Sequence, residues 1–107
     1  MTSVDYEYAE IRNNEAEQRY EVKIGDQLAV LEYKRKGDQI IYLHTGVPPA
    51  LEGHGIANKL AHVALEDART LKLTVSPVCP FVAAYIRHHQ EYLSLLTASE
   101  RARILQD

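Results

Sequence analysis

Hydrophobic positions alternate with polar ones through much of the first half of the chain. Three runs are rich in β-branched and aromatic residues: RYEVKI (19–24), LAVLEYKR (28–35) and QIIYLHT (39–45). Gly25-Asp26 and Gly37-Asp38 lie between these runs. Because β-rich runs separated by short turn sequences form hairpins, this pattern predicts an antiparallel meander of strands.

The segment before the meander gives a weaker pattern. YEYAEIRN (6–13) predicts one additional strand, whereas the polar sequence RNNEAEQ that overlaps its end is equally typical of a loop. Both interpretations stay open for this segment.

The period changes to that of a helix after residue 55. Apolar residues recur on one side of a helix of about four turns, at Ile56, Leu60, Val63, Ala64 and Ala68. LKLTVS (71–76) then predicts a buried strand, and Pro80 fits the first position of a helix with FVAAYIRHH as its body. Thr97 or Ser99 would cap a short terminal helix. The predicted order is strands first, then helix, strand and helix.

Length and composition are those of one soluble domain. The chain has 107 residues, of which 46% are hydrophobic and 25% charged. A net charge of −3 argues against nucleic acid as a partner, since phosphate binding relies on clustered Lys and Arg. No apolar run reaches the roughly 20 residues of a membrane span. With a single cysteine and an acidic start, we expect a reducing, cytoplasmic location.

A glycine-rich turn joins the third predicted strand of the meander to the first predicted helix, within GVPPALEGHGIANK. Gly53 and Gly55 allow a ligand to approach the main chain because they carry no Cβ atom. The helix that follows directs unpaired N–H groups and a positive dipole end towards the same place. Such a turn either binds an anion without a basic side chain or simply permits a tight entry into the helix.

This turn does not match the dinucleotide-binding fingerprint, which needs three glycines. It also does not match the nucleoside-triphosphate loop, which needs Gly-Lys-Ser/Thr. Glu52-Gly53-His54-Gly55-Ile56-Ala57 instead resembles the Gln/Arg-x-x-Gly-x-Gly/Ala loop of the GNAT acetyltransferase superfamily. The predicted order of elements agrees, and the resemblance extends from about Tyr20 to Tyr92. HTGVPPALEGHGIA and PVCPFVAAYIRHHQEY together resemble a subgroup of very small, single-domain members.

The resemblance implies an α+β fold with a mixed sheet, in which strand 39–47 splays from the parallel strand 71–78. It implies acetyl-CoA as co-substrate, with its pyrophosphate on the backbone amides of the loop and its pantetheine arm alongside the main chain of Thr45 to Val47. By position, the residues that supply these contacts are Thr45, Gly46, Val47, Gly53, His54, Gly55, Ile56, Ala57 and Asn58.

The sequence departs from the family pattern at two places. Glu52 replaces the usual Gln or Arg, so a carboxylate weakens phosphate binding unless its side chain points away. IIYLHT contains no acid, although many members place their general base on this strand. His44 is the nearest titratable residue there, and imidazole can accept a proton near neutral pH. His44 is therefore the candidate base.

Cys79 lies between Pro77 and Pro80, where a strand is predicted to end and a helix to begin. Three roles stay open for it: a nucleophile that accepts the acyl group, a residue that lines the acetyl pocket, or a small buried apolar residue. A helix N-terminus can stabilise a thiolate, whereas free cysteines are most often simply buried.

Tyr85 is the candidate general acid, because the family often uses a tyrosine on this helix to protonate the departing CoA thiolate. The usual pattern sets an Asn at the strand end and a Tyr seven residues later, whereas Tyr85 follows Cys79 by six. If the helix is turned accordingly, Tyr85 packs in the core and has no chemical role.

The five histidines do not predict a metal site. No pair has helical i, i+4 spacing with a third ligand nearby, and His88 and His89 diverge by about 100° if both are helical. We expect no metal.

The sequence therefore predicts an acetyl-CoA-dependent N-acetyltransferase acting on a small-molecule amine or a protein lysine. Two alternatives are a non-catalytic acyl-CoA-binding module and acyl transfer through a Cys79 thioester. We expect a monomer or a weak homodimer.

Overall fold

The computed structural model describes residues 9–106 and contains a five-stranded sheet. Its strands and α-helices follow one another as β1 (Arg12–Asn14), β2 (Arg19–Ile24), β3 (Gln27–Lys36), β4 (Gln39–Gly46), α1 (Ile56–Thr70), β5 (Thr74–Pro77), α2 (Pro80–His88) and α3 (Ala98–Gln106). Two short 3₁₀ segments cover Pro49–Leu51 and Gln90–Leu95. The fold is α+β, as predicted.

The sheet is mixed, and its strands lie in chain order from β1 to β5. Strands β1 to β4 form the predicted antiparallel meander, and β5 pairs with β4 in parallel. This last pairing runs from Gln39 opposite Thr74 to Tyr42 opposite Pro77, whereas β4 continues to Gly46. The two strands therefore separate beyond Tyr42, which confirms the predicted splay.

A β-bulge lies in β4 at the point where this separation begins. Tyr33 pairs with Tyr42 and Glu32 pairs with His44, so Leu43 is an extra residue without a partner on β3. A bulge resets the alternation of side chains between the two faces of a sheet. The side chains that follow Leu43 therefore point to the opposite face of the sheet from the one that uninterrupted alternation would predict.

Helix α1 covers one face of the sheet and forms the core with it. Tyrosines of the sheet fix its position: the Tyr42 hydroxyl donates to Ala64 O at 2.7 Å, and the Tyr20 hydroxyl donates to Asp67 Oδ2 at 2.8 Å. Both phenol rings are buried among apolar side chains, and a satisfied hydroxyl adds about 1 kcal/mol to that burial. The buried side of α1 consists of Ile56, Leu60, Ala61, Ala64, Leu65 and Ala68.

The strand predicted over residues 6–13 is only partly correct. β1 spans Arg12–Asn14, residues 9–11 lie outside any strand, and residues 6–8 lie outside the described part of the chain. Polar contacts hold β1 at the sheet edge, since the Tyr33 hydroxyl donates to Asn13 Oδ1 at 2.7 Å. An edge strand defined by such contacts has no apolar alternation to reveal its limits.

The strand predicted over residues 71–76 begins too early. Leu71 and Lys72 form the turn that ends α1, and Lys72 has the positive φ of 59° that commonly terminates a helix. The Leu73 N–H bonds back to Ala68 O at 2.9 Å. β5 starts only after this turn, and it extends one residue beyond the predicted end.

The predictions for the last two helices are confirmed. Helix α2 begins at Pro80, and Thr97 Oγ1 accepts a hydrogen bond from the Glu100 N–H at 3.2 Å at the start of α3. Helix α3 covers β5 at the edge of the described sheet, where Arg103 Nη2 donates to Pro77 O at 3.1 Å and Ile104 is buried. Among residues 9–106, no helix is long and apolar enough to cross a membrane.

Candidate functional site

The loop before α1 needs glycine at two positions. Gly53 has φ 83° and Gly55, the N-cap residue of α1, has φ 75°, in the left-handed region that other residues rarely adopt. A Cβ atom built on either glycine would meet no other atom of the described chain within 4 Å. The backbone at these positions is therefore open to a ligand.

The N-terminus of α1 directs free N–H groups towards this loop. The first hydrogen bond of the helix runs from the Lys59 N–H to Gly55 O at 3.1 Å, and no side chain of residues 9–106 caps the helix. The N–H groups of Ile56, Ala57 and Asn58 thus precede the helical ladder and have no partner within it. Together with the helix dipole they favour an anion at this place.

A cavity of about 160 Å³ adjoins the loop. Most of the residues predicted to bind the cofactor line this cavity. Three further residues line it that were not predicted to contact the cofactor: Leu51, Glu52 and Phe81. The complete lining is Val47, Leu51, Glu52, Gly53, Gly55, Ile56, Ala57, Asn58 and Phe81. Exposed Glu52 leaves a negative charge beside the loop, whereas Val47 and Phe81 contribute apolar walls.

Cys79 is buried at the point where β4 and β5 separate. Its side chain is 2% exposed, its N–H donates to Tyr42 O at 2.8 Å, and it is the N-cap residue of α2. Its Sγ lies 3.3 Å from Thr45 Oγ1, within hydrogen-bonding distance. The sequence had assigned Thr45 a main-chain role only, so this side-chain contact across the splay is new.

His44 lies on the other face of the sheet from Cys79. The register sets Thr45 opposite buried Leu31 on the core face, whereas His44 lies opposite exposed Glu32 on the outer face. The His44 ring passes close to Gly46, because a Cβ atom added there would lie 3.3 Å from Nε2. The structure therefore brings Thr45, but not His44, to the sulfur of Cys79.

Tyr85 lies beside a second cavity, of about 300 Å³, between the start of α1 and the exposed side of α2. Asn58 and Phe81 line both this cavity and the first one. The Tyr85 ring stacks on His89 with 3.9 Å between ring centroids. Burial, followed by the nearby charges of Glu91 and Glu66, raises the pKa of the Tyr85 phenol, so this group stays protonated at neutral pH.

Six residues of helix correspond to a rotation of about 240°, so the side chain of Tyr85 leaves α2 in a different direction from that of Cys79. The remaining residues that line the second cavity are Ala84, His88 and His89.

A separate polar cluster joins α1 to the segment Gln90–Leu95. The Tyr92 hydroxyl donates to Glu66 Oε2 at 2.6 Å, and Arg69 Nη2 donates to both oxygens of the same carboxylate at 2.7 and 2.8 Å. These hydrogen bonds, that of Tyr92 first and that of Arg69 second, hold the pKa of Glu66 below its ordinary value. The cluster is a structural joint between two elements.

The described part of the chain contains no group of three or more histidine, cysteine, aspartate or glutamate side chains placed to hold a metal ion.

Two comparisons with known proteins bear on the chain as a whole. The family described as GCN5-related N-acetyl-transferase matches residues 19–95. The chain also resembles a protein from Staphylococcus aureus whose NMR solution structure is described as that of a "GCN5-like putative N-acetyltransferase". The two sequences are 25% identical, with a TM-score of 0.65, over 83% of this chain and 88% of the other.

Proposed function

Because this chain belongs to the GCN5-related N-acetyltransferase family, we propose that it transfers the acetyl group of acetyl-CoA to a primary amine. The observation that carries this proposal is the loop at Gly53 and Gly55, whose two left-handed glycines lead into the uncapped N-terminus of α1. An anion can be held there by main-chain N–H groups alone, which suits a chain with a net charge of −3.

In this proposal the N–H groups of residues 53–58 bind the pyrophosphate of acetyl-CoA. The pantetheine arm runs beside the main chain of Thr45, Gly46 and Val47, where β4 has lost its partner β5 and offers free backbone groups. Val47 and Phe81 support this path because they line the cavity beside the loop and shield an apolar chain from water.

The reaction is a direct transfer. His44 takes a proton from the ammonium form of the acceptor, the amine nitrogen attacks the thioester carbonyl carbon, and the C–S bond breaks. Backbone N–H groups of β4 stabilise the developing oxyanion. The CoA thiolate then receives a proton, for which the phenol of Tyr85, protonated at neutral pH, is the candidate donor. The nitrogen releases its second proton as the neutral amide forms, and this proton restores the phenol.

Cys79 lines the acetyl pocket in this account. It is nearly inaccessible and within hydrogen-bonding distance of Thr45, which supports a role in shaping the space between the two separating strands. Transfer through a Cys79 thioester is the covalent alternative.

A binding module that holds acyl-CoA without turnover is the second candidate function. Two observations favour it: β4 carries no acidic side chain, and His44 lies on the other face of the sheet from Cys79.

Release of CoA thiol separates these candidates. The purified chain is incubated with acetyl-CoA and, in parallel, with n-butylamine, spermidine and a lysine-containing peptide, and thiol release is followed by a chromogenic disulfide. We expect release that depends on one of these amines. Binding of acetyl-CoA with no release from any amine would support the binding module instead.

Intact-mass measurement after incubation with acetyl-CoA alone tests the covalent alternative. Direct transfer predicts no acetyl adduct on the protein. An adduct of one acetyl group that disappears in Cys79→Ala would establish the thioester route.

A further inference from the structure

A row of polar side chains crosses the outer face of the sheet from β2 to β4. Glu32 on β3 lies directly opposite Arg19 on one side and directly opposite His44 on the other. The Cβ atoms of directly opposed residues in antiparallel strands are about 5 Å apart, close enough for their side chains to interact. Glu32 therefore stands between the guanidinium group of Arg19 and the imidazole of His44.

The carboxylate of Glu32 is available to an external cation. Arg19 Nε is already bonded to Glu21 Oε2 at 2.7 Å, so its cation has a partner on its own strand. Glu32 attracts the charge of Arg19 across the two strands, but it is exposed, and within residues 9–106 its carboxylate accepts no hydrogen bond and forms no direct ion pair. Lys34, on the same face of β3, lies two residues further towards the β3–β4 turn.

This row reaches the segment of β4 that carries the acyl donor in the proposed function. The His44 ring lies against Gly46, with Nε2 3.3 Å from the position of an added Cβ atom. Gly46 still pairs with Val30 on β3, but it lies beyond the last pairing of β4 with β5, so its β5 side has no partner strand. A group held between Glu32 and His44 therefore lies beside the main chain along which the thioester is proposed to run.

We propose that Glu32 binds the ammonium group of the acceptor on this outer face and presents it to His44. The inference rests on the proposed function and deepens it. Glu32 supplies from β3 the carboxylate that the sequence of β4 lacks. Twelve positions separate Glu32 from His44 along the chain, so only the register of the two strands reveals that the two residues are neighbours.

Each group has a defined part in the reaction. The carboxylate of Glu32 attracts R–NH₃⁺, and His44 accepts one proton from that ammonium. The freed nitrogen lone pair forms the C–N bond as the C–S bond breaks. The nitrogen then releases its second proton to give the neutral amide, and the CoA thiolate takes up one proton to give the thiol. Glu32 undergoes no covalent change, so it is a binding residue for the acceptor.

This arrangement also defines the class of acceptor. A primary alkylammonium group without a neighbouring carboxylate gains the attraction of Glu32. An α-amino acid brings its own carboxylate to the same place and is repelled. A lysine side chain or a polyamine belongs to the favoured class.

Steady-state kinetics with n-butylamine as the acceptor probe test this inference. We expect Glu32→Gln to raise the KM for n-butylamine roughly 2- to 5-fold, the effect of one exposed ion pair, with kcat and the KM for acetyl-CoA unchanged. Added salt should raise the KM for n-butylamine in the wild-type chain and have little effect on it in Glu32→Gln. Glycine at the same pH should be a poorer acceptor than n-butylamine.

Glu17→Gln is the matched control, because it removes the same charge from an exposed residue in the turn between β1 and β2. It should leave the KM for n-butylamine at the wild-type value. An unchanged KM in Glu32→Gln, an equal rise in Glu17→Gln, or no acetylation of n-butylamine by the wild-type chain would each overturn the inference. Titration calorimetry with acetyl-CoA accompanies the kinetics. Absence of acetyl-CoA binding would contradict the proposed function, whereas normal acetyl-CoA binding with a failure to bind the amine would contradict only this inference.

Discussion

Binding of an anion at the loop before α1 depends on single residues, and two comparable glycines, Gly55 and Gly25, allow this to be tested. Gly55 in the loop has φ 75°, and Gly25 in the turn between β2 and β3 has φ 63°. A Cβ atom would meet nothing within 4 Å at either position. Substitution by alanine therefore adds backbone strain of similar size at both sites and no clash within the described chain.

Gly55→Ala and Gly25→Ala should each lower the free energy of unfolding by about 1 to 2 kcal/mol, the cost of a left-handed backbone for a residue with a Cβ atom. Only Gly55→Ala should weaken the binding of acetyl-CoA, because its methyl group enters the space proposed for the pyrophosphate. Chemical denaturation and titration calorimetry measure the two effects. Equal acetyl-CoA affinities in both variants would place the phosphate elsewhere.

The sequence alone predicted the local geometry that depends on short motifs. The two glycines, the uncapped helix start and the position of Cys79 before Pro80 all appear where expected, because a turn that enters a helix is determined by neighbouring residues. Glu32 could not be found in this way. Its proximity to His44 depends on the bulge at Leu43, and IIYLHT contains no signal for an inserted residue.

At the scale of elements, hydrophobic periodicity predicted β2, β3, β4 and α1 closely. It failed where a polar group or a turn decides the boundary, as at Lys72, whose positive φ ends α1 inside a segment that reads as a strand. It also could not reveal that Tyr92 joins the segment Gln90–Leu95 to α1, since 26 positions separate Tyr92 from Glu66.

The hydrogen bond between Tyr92 and Glu66 leads to a prediction about how the stability of the fold changes at acidic pH. Because its folded pKa lies below the ordinary value of about 4.5, Glu66 stabilises the fold above that pH, and this contribution is lost as the pH falls through the folded value. Tyr92→Phe removes the first cause of the shift. The pKa of Glu66 should rise towards its ordinary value, and the variant should lose less stability on acidification than the wild-type chain.

NMR titration of the Glu66 side-chain carboxyl checks this prediction, together with unfolding midpoints at pH 7 and pH 3. Tyr33→Phe is the control, because its hydroxyl donates to Asn13 and not to a carboxylate. An unchanged Glu66 pKa in Tyr92→Phe would mean that Arg69 alone sets the shift.

For the molecule as a whole, the position of each helix leaves a defined part of the sheet accessible. Helix α1 covers the core face, and α3 packs along β5 at the edge, with Arg103 bonded to Pro77 O. The end of β4 that has no partner on its β5 side is left between the loop, Cys79 and the outer face. We propose that the donor binds on the loop side of this strand and the acceptor on its outer face.

Titration calorimetry of acetyl-CoA against the whole chain is the decisive measurement for the proposed acetyl-CoA site. We expect saturable binding of one acetyl-CoA per chain, with retained binding in Gly25→Ala and weakened binding in Gly55→Ala. Absence of binding at millimolar acetyl-CoA would contradict the proposal.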